Sequence, residues 1–198
     1  MAAHNHVMKK FGHEEKKMSD IKSLASRGAW VMMQRSFKKE IQNENLKKEM
    51  TKEFVDYYSK NIDKGSEPIR GIFDFLKWAK SKNISMAVCT NKQERLAIDL
   101  LKKLNMFDYF EYTAGSDTFE FNKPDPRHLT NVVEIIGGNL NKTIMVGDSE
   151  VDAMSADNAK LPFVLVENGY TEKTTQEIKH NVLIKDFVNF EKIIENYL

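Results

Sequence analysis

Apolar and polar positions follow two different rhythms along the chain. Up to about Asp63, apolar residues recur at helical spacing, in Val31-Met32-Met33-Phe37 and in Leu46-Met50-Phe54-Tyr57-Tyr58, with lysines on the faces between them. That spacing predicts amphipathic helices, and no strand-like run interrupts them. GSEP, from Gly65 to Pro68, is a turn signal because glycine and proline both break helices. Beyond it, short apolar runs alternate with amphipathic stretches. The pattern predicts a helix over 69–82, a strand over 84–90 (ISMAVCT), a helix over 93–104, a short strand at 112–114, a helix over 126–136 and a strand over 143–148 (TIMVGD). A helix over 151–159, a strand over 162–167 (PFVLVE), a helix around 172–178, a strand over 181–184 (NVLI) and a closing helix over 187–197 complete the series. Alternation of this kind indicates βαβ units, hence an α/β fold with a Rossmann-like parallel sheet covered on both faces.

Composition narrows the class. The 198 residues are 41% hydrophobic and 30% charged, enough to bury a core without disulfides or metal staples. The only cysteine, Cys89, rules out an internal disulfide and fits a reducing, cytoplasmic compartment. No run has the eighteen or so apolar residues of a membrane span, and the N-terminus lacks a secretory leader's apolar core. A net charge of +1 argues against a general nucleic-acid binder. That charge is unevenly placed: Met1 to Lys64 carries 14 Lys and Arg against 9 Asp and Glu, and the remainder 16 against 20.

In parallel sheets, ligands bind outside the carboxyl ends of the strands, where the strand order reverses. Three strand ends carry suitable residues. Thr90 and Asn91 close ISMAVCT with a hydroxyl and a side-chain amide, beside N–H groups that open the next helix and could cradle an anion. Lys123, in FNKPDP, is backed by Pro124 and Pro126, which stiffen the chain behind its ammonium. Asp148 ends TIMVGD, and Asp152 follows one helical turn later on the same face. Paired carboxylates suit a hard cation such as Mg²⁺. Each feature alone has a plain structural reading as a helix cap, a solvated lysine or a turn; at successive strand ends the topology makes them converge. Cys89 reads as a small core residue, Gly137-Gly138 as the end of a helix, and His4, His6 and His13 share no zinc-ligand spacing with a cysteine or glutamate.

The set VCTN, NKPDP and MVGDSEVDAMSADNA, with 33 positions from Thr90 to Lys123 and 25 from Lys123 to Asp148, resembles the second, third and fourth motifs of the haloacid dehalogenase superfamily of phosphatases. NHVMKKFGH and SLASRGAWVMMQRS resemble the helical cap of its phosphoglycolate phosphatase-like branch, and FVLVENGYTEK continues the likeness. The resemblance implies a small helical cap over 1–64, an α/β core over 65–198, and Mg²⁺-dependent hydrolysis of a phosphomonoester on a small phosphorylated metabolite. It implies that Thr90 binds the phosphoryl group with Asn91 beside it, that Lys123 neutralises the nucleophile and the transferring phosphoryl, and that Arg27 holds the substrate's second anionic group. Asp148 would ligate Mg²⁺ and Asp152 would support the metal site.

That family's first motif is an Asp-x-Asp at the end of its mid-sheet first strand, one carboxylate attacking phosphorus and the other acting as acid–base. No aspartate here is followed two positions later by another. The expectation is a chain that begins where the family's cap begins, either because the natural protein starts upstream, because the gene has decayed, or because another chain supplies the strand. Turnover by a phospho-aspartate is then absent, and two strand edges are left open inside the core. The alternatives are a pseudoenzyme that binds phosphate ligands or a partner chain, and a phosphomutase or phosphonate hydrolase of the same superfamily. Sequence leaves the oligomeric state open.

Overall fold

The computed structural model describes residues 1–36, 43–62, 64–171 and 173–197. Phe37, Asp63 and Glu172, which the spacing placed in a helix, at the boundary and in a second helix, lie outside the described residues. The first part is helical: α1 (Ala2–Lys10), α2 (Met18–Ile21), a 3-10 turn (Lys22–Arg27), α3 (Ala29–Ser36) and α4 (Glu44–Lys60). α4 starts where Asn43 accepts the N–H groups of Asn45 and Leu46 on its side chain, satisfying donors that a helix start leaves open. Val7, Met8, Met32, Met33 and Met50 are buried together, with Phe11, Leu24, Leu46 and Phe54 packed around them. Burying each of the five is worth about 1.5–3 kcal/mol relative to exposure, and the unbranched methionines fill the irregular space between short helices.

The second part alternates as its pattern predicts: α5 (Ile72–Ser81), β1 (Ala87–Cys89), α6 (Glu94–Lys103), β2 (Tyr112–Ala114), α7 (Arg127–Ile135), β3 (Met145–Gly147), α8 (Glu150–Asn158), β4 (Phe163–Val166), β5 (Val182–Ile184) and α9 (Phe190–Ile194). Every pairing among the described strands is parallel. The strands form two separate sheets, β1-β2 and β3-β4-β5. β4, paired on both sides, is buried at all four positions, whereas β1 and β3, each paired on one side, are half-buried throughout. One cluster, of Leu129, Ala153, Ala156, Leu161, Phe163, Leu165 and Ile178, has Cys89 and Met145 against it. A second joins Val164, Val166 and Ile184 to Phe187, Phe190 and Ile194.

Against the sequence expectation, strand 143–148 shortens to Met145–Gly147, the closing helix 187–197 becomes Phe190–Ile194 with a 3-10 turn (Glu195–Tyr197), and two further elements differ more. The helix expected around 172–178 is a single 3-10 turn (Thr175–Glu177), because Thr174 and Glu177 exchange hydrogen bonds that close one turn while the surrounding side chains are mostly exposed. The expected seven-residue strand 84–90 shortens to Ala87–Cys89, since β2 meets it over three residues only. Among the described residues no helix is long and apolar enough to cross a membrane.

Candidate functional site

The site forms at the carboxyl ends of β1 and β3. Asp152 is its anchor. Ser149 caps α8 and exchanges hydrogen bonds with Asp152 in a capping box. Asp152 Oδ2 accepts the N–H groups of Asp148 and Ser149, both at 3.2 Å, and the Ser149 hydroxyl at 2.7 Å. Its other oxygen, Oδ1, receives Lys123 Nζ at 2.5 Å, and both side chains are 8% exposed. Gly147 makes room for this, since a Cβ there would stand 2.5 Å from Asp152 Cβ. Burial, the largest influence on the Asp152 carboxyl, would raise its pKa. The Lys123 charge, with the hydrogen bonds from Lys123, Ser149 and Asp148, outweighs burial and holds it below the usual carboxylate range.

Lys123 Nζ also donates to the Cys89 carbonyl at 2.7 Å, so one ammonium ties the open end of β1 to the first turn of α8. Asp148 stands beside it. Its Oδ2 accepts the Tyr170 N–H at 3.2 Å, and its pKa is raised, first by burial and then by the Asp152 charge. A cation would relieve both penalties.

Thr90 lies on the same cavity, its Oγ1 accepting the Lys92 N–H at 3.1 Å. Asn91 also lines that cavity. Its Nδ2 donates to the carbonyls of Lys123, at 2.9 Å, and Ser26, at 3.2 Å, so it braces the lysine loop against the helical segment. Gly28 permits the close approach: its φ is +86°, and a Cβ there would lie 2.8 Å from the Asn91 carbonyl oxygen. The expected N–H cradle at the start of α6 is also partly filled, because the Glu94 N–H is taken by Asp117 Oδ1 at 2.8 Å.

A cavity of about 640 Å³ joins these groups to the helical segment, and Thr90, Asn91, Lys123, Asp148 and Asp152 all line it. Arg27 lines it too, and its guanidinium lies 3.7 Å from Glu150 Oε1. Spacing missed a further cation, Lys92, whose Nζ donates to Tyr58 Oη at 2.5 Å and lies 4.7 Å from that ring's centroid. Its signal was only its place two residues after Thr90. Cys89 is inert by comparison, its thiol pushed up to about 11 by burial.

The sequence profile of the haloacid dehalogenase-like hydrolases matches residues 1–166. The chain belongs to that family. It is 35% identical to the phosphoglycolate phosphatase of Agrobacterium fabrum over 198 aligned positions, covering 96% of this chain and 84% of that protein. It is 37% identical to the phosphoglycolate phosphatase of Mesorhizobium japonicum over 138 positions, 70% of this chain and 61% of that protein. In three dimensions it is similar to the crystal structure of a predicted phosphoglycolate phosphatase from Haemophilus somnus, with a TM-score of 0.89 at 22% identity, over 97% of this chain and 88% of that one.

The metal implied by the haloacid dehalogenase resemblance can be tested against the donors. Among the described residues no three His, Cys, Asp or Glu side chains converge as a closed metal centre. Asp148 is the available carboxylate, because Asp152 is held by Lys123 and Ser149. Such a set fits Mg²⁺, which commonly keeps water and substrate phosphate in its shell and takes only one or two carboxylates from the protein.

Proposed function

We propose that this chain carries the phosphate-binding and metal-supporting part of a Mg²⁺-dependent phosphomonoester hydrolase of the phosphoglycolate phosphatase type, acting on a small phosphorylated metabolite. The supporting observation is the buried Lys123–Asp152 pair, 2.5 Å long, on one cavity with Thr90 and Asp148. Lys123 has three N–H donors; Asp152 and the Cys89 carbonyl take two, and the third serves a phosphoryl oxygen. Held on two sides, the ammonium needs no reorganisation when charge develops on the phosphoryl group. Thr90 accepts the Lys92 N–H, which leaves its own proton free to donate to a second phosphoryl oxygen. Asp148 would hold Mg²⁺, which when bound neutralises charge on the phosphate oxygens. In this reading residues 1–64 cover the site and 65–198 carry its chemistry, while Asn91 positions the lysine loop.

Hydrolysis through a phospho-aspartate needs a carboxylate nucleophile. The carboxylates lining the cavity, among the described residues, are Asp148 and Asp152, the first reserved for the metal and the second locked in its ion pair. The chain by itself is therefore expected to bind phosphate without turning over esters. The separation of β1-β2 from β3-β4-β5, with half-buried strands on either side, supports the idea that a further strand carrying Asp-x-Asp belongs between them. The decisive experiment assays 2-phosphoglycolate hydrolysis with MgCl₂ and measures inorganic phosphate binding by calorimetry. Expected are background turnover, phosphate binding by the wild type, and its loss in Lys123→Met. Turnover that depends on Asp148 in this 198-residue chain would overturn the missing-nucleophile reading, and failure to bind phosphate would overturn the site.

A further inference from the structure

We infer that Lys92 and Tyr58 form a second anion subsite in the same cavity, one that selects phosphoesters bearing a carboxylate at their other end. This rests on the proposed phosphoryl site at Lys123. Of the other lysine and arginine side chains lining the cavity, Lys123 has Asp152 and Arg27 has Glu150 within 3.7 Å, while Lys64 is exposed to solvent. Lys92 has none within ion-pair reach among the described residues, although it lines the cavity. Its ammonium is held by the Tyr58 hydroxyl at 2.5 Å. A phenol hydroxyl orients a cation without cancelling its charge, and two of its three N–H groups remain for a ligand. Burial lowers its pKa to about 8.

Geometry also limits the ligand. The Lys92 N–H sits on Thr90 Oγ1 at 3.1 Å, so both groups spring from one short loop. A molecule that meets both the Thr90 hydroxyl and the Lys92 ammonium must carry two anionic groups, as a phosphorylated acid does. Tyr58 comes from α4 and Lys92 from the loop after β1, so the subsite exists only where the helical segment and the strand ends meet. Arg27, the residue that the resemblance assigned to the second anionic group, already faces Glu150; Lys92 is better placed for that task because its charge is unclaimed.

The test compares dissociation constants of 2-phosphoglycolate and ethyl phosphate, which differ in the carboxylate, by calorimetry on the full chain with MgCl₂. Wild type is expected to prefer 2-phosphoglycolate by about tenfold or more. Lys92→Met should bring the ratio near one, Tyr58→Phe should lower it in part, and Lys92→Arg should restore most of it. A general weakening of the site cancels in the ratio, so a merely structural role leaves it unmoved. A ratio near one in wild type, or an unchanged ratio in Lys92→Met, overturns the subsite. If Lys92→Met does not fold, an unchanged ratio in both Tyr58→Phe and Lys92→Gln does so. Failure of wild type to bind inorganic phosphate instead sinks the phosphoryl site, and the subsite with it.

Discussion

Strands β4 and β1 are both short, apolar and parallel, yet they live in different surroundings. β4 has a partner on each side and is buried from Phe163 to Val166; β1 has β2 alone and is half-buried from Ala87 to Cys89. Sequence cannot separate them, because FVLV and AVC are equally strand-like. The difference is set by neighbours, and it shows where the chemistry sits. The well-covered strand supports the scaffold, while the strand with an open edge delivers Thr90 and the Cys89 carbonyl to the site. Polar groups held there, such as Lys123 and Asp152, tie the two sheets together where no backbone ladder does.

The largest test of this contrast removes the tie. Lys123→Met leaves the Asp152 carboxylate buried and unpaired, and urea denaturation should register a loss of about 3–5 kcal/mol. Adding Asp152→Leu should recover much of it; no recovery would mean the lysine acts through packing. Next, Leu165→Ala on β4 should cost about 2–5 kcal/mol, whereas Val88→Ala on β1 should cost about 1 kcal/mol or less. Equal losses would show β1 to be as well covered as β4.

Lys92→Met should act in the opposite direction. The folded-state pKa of Lys92, about 8, lies below its ordinary 10.5, so keeping the ammonium charged destabilises the fold fully below pH 8, and the penalty fades as pH rises toward 10.5. The variant should therefore be more stable than wild type at pH 7 by about 1–3 kcal/mol, with the gap in Tm shrinking by pH 10. A constant gap would assign it to packing. The smallest effect belongs to Asp148. Its raised pKa means that the ionised carboxylate is disfavoured in the fold, a cost that grows as pH rises through its titration. Asp148→Asn should raise Tm slightly at pH 7 without divalent cation and abolish any gain from MgCl₂; a Mg²⁺-dependent gain that survives would place the ion elsewhere.

Much of the α/β part was legible in advance. The alternation of apolar runs marked every described strand, because strands of a parallel sheet flanked by helices read as short apolar stretches. Thr90, Lys123, Asp148 and Asp152 were legible as candidates for the same reason: βαβ topology brings successive strand ends together. Asn91, read as a ligand group, also braces the lysine loop, since only packing decides that the Ser26 and Lys123 carbonyls come within reach of its amide. Lys92 passed unnoticed because a lysine after a strand is ordinarily solvated; its burial depends on Tyr58, 34 positions away.

What the sequence determined by itself was local and periodic: helices before the GSEP turn, alternating strands and helices after it, and the polar residues at strand ends. Those follow from backbone geometry and side-chain spacing, which neighbouring residues settle among themselves. Which edges find partners, whether a carboxylate meets an ammonium, and which lysine keeps an unclaimed charge were decided only by the tertiary structure. Burial and electrostatic compensation depend on residues distant in the chain that folding brings into contact.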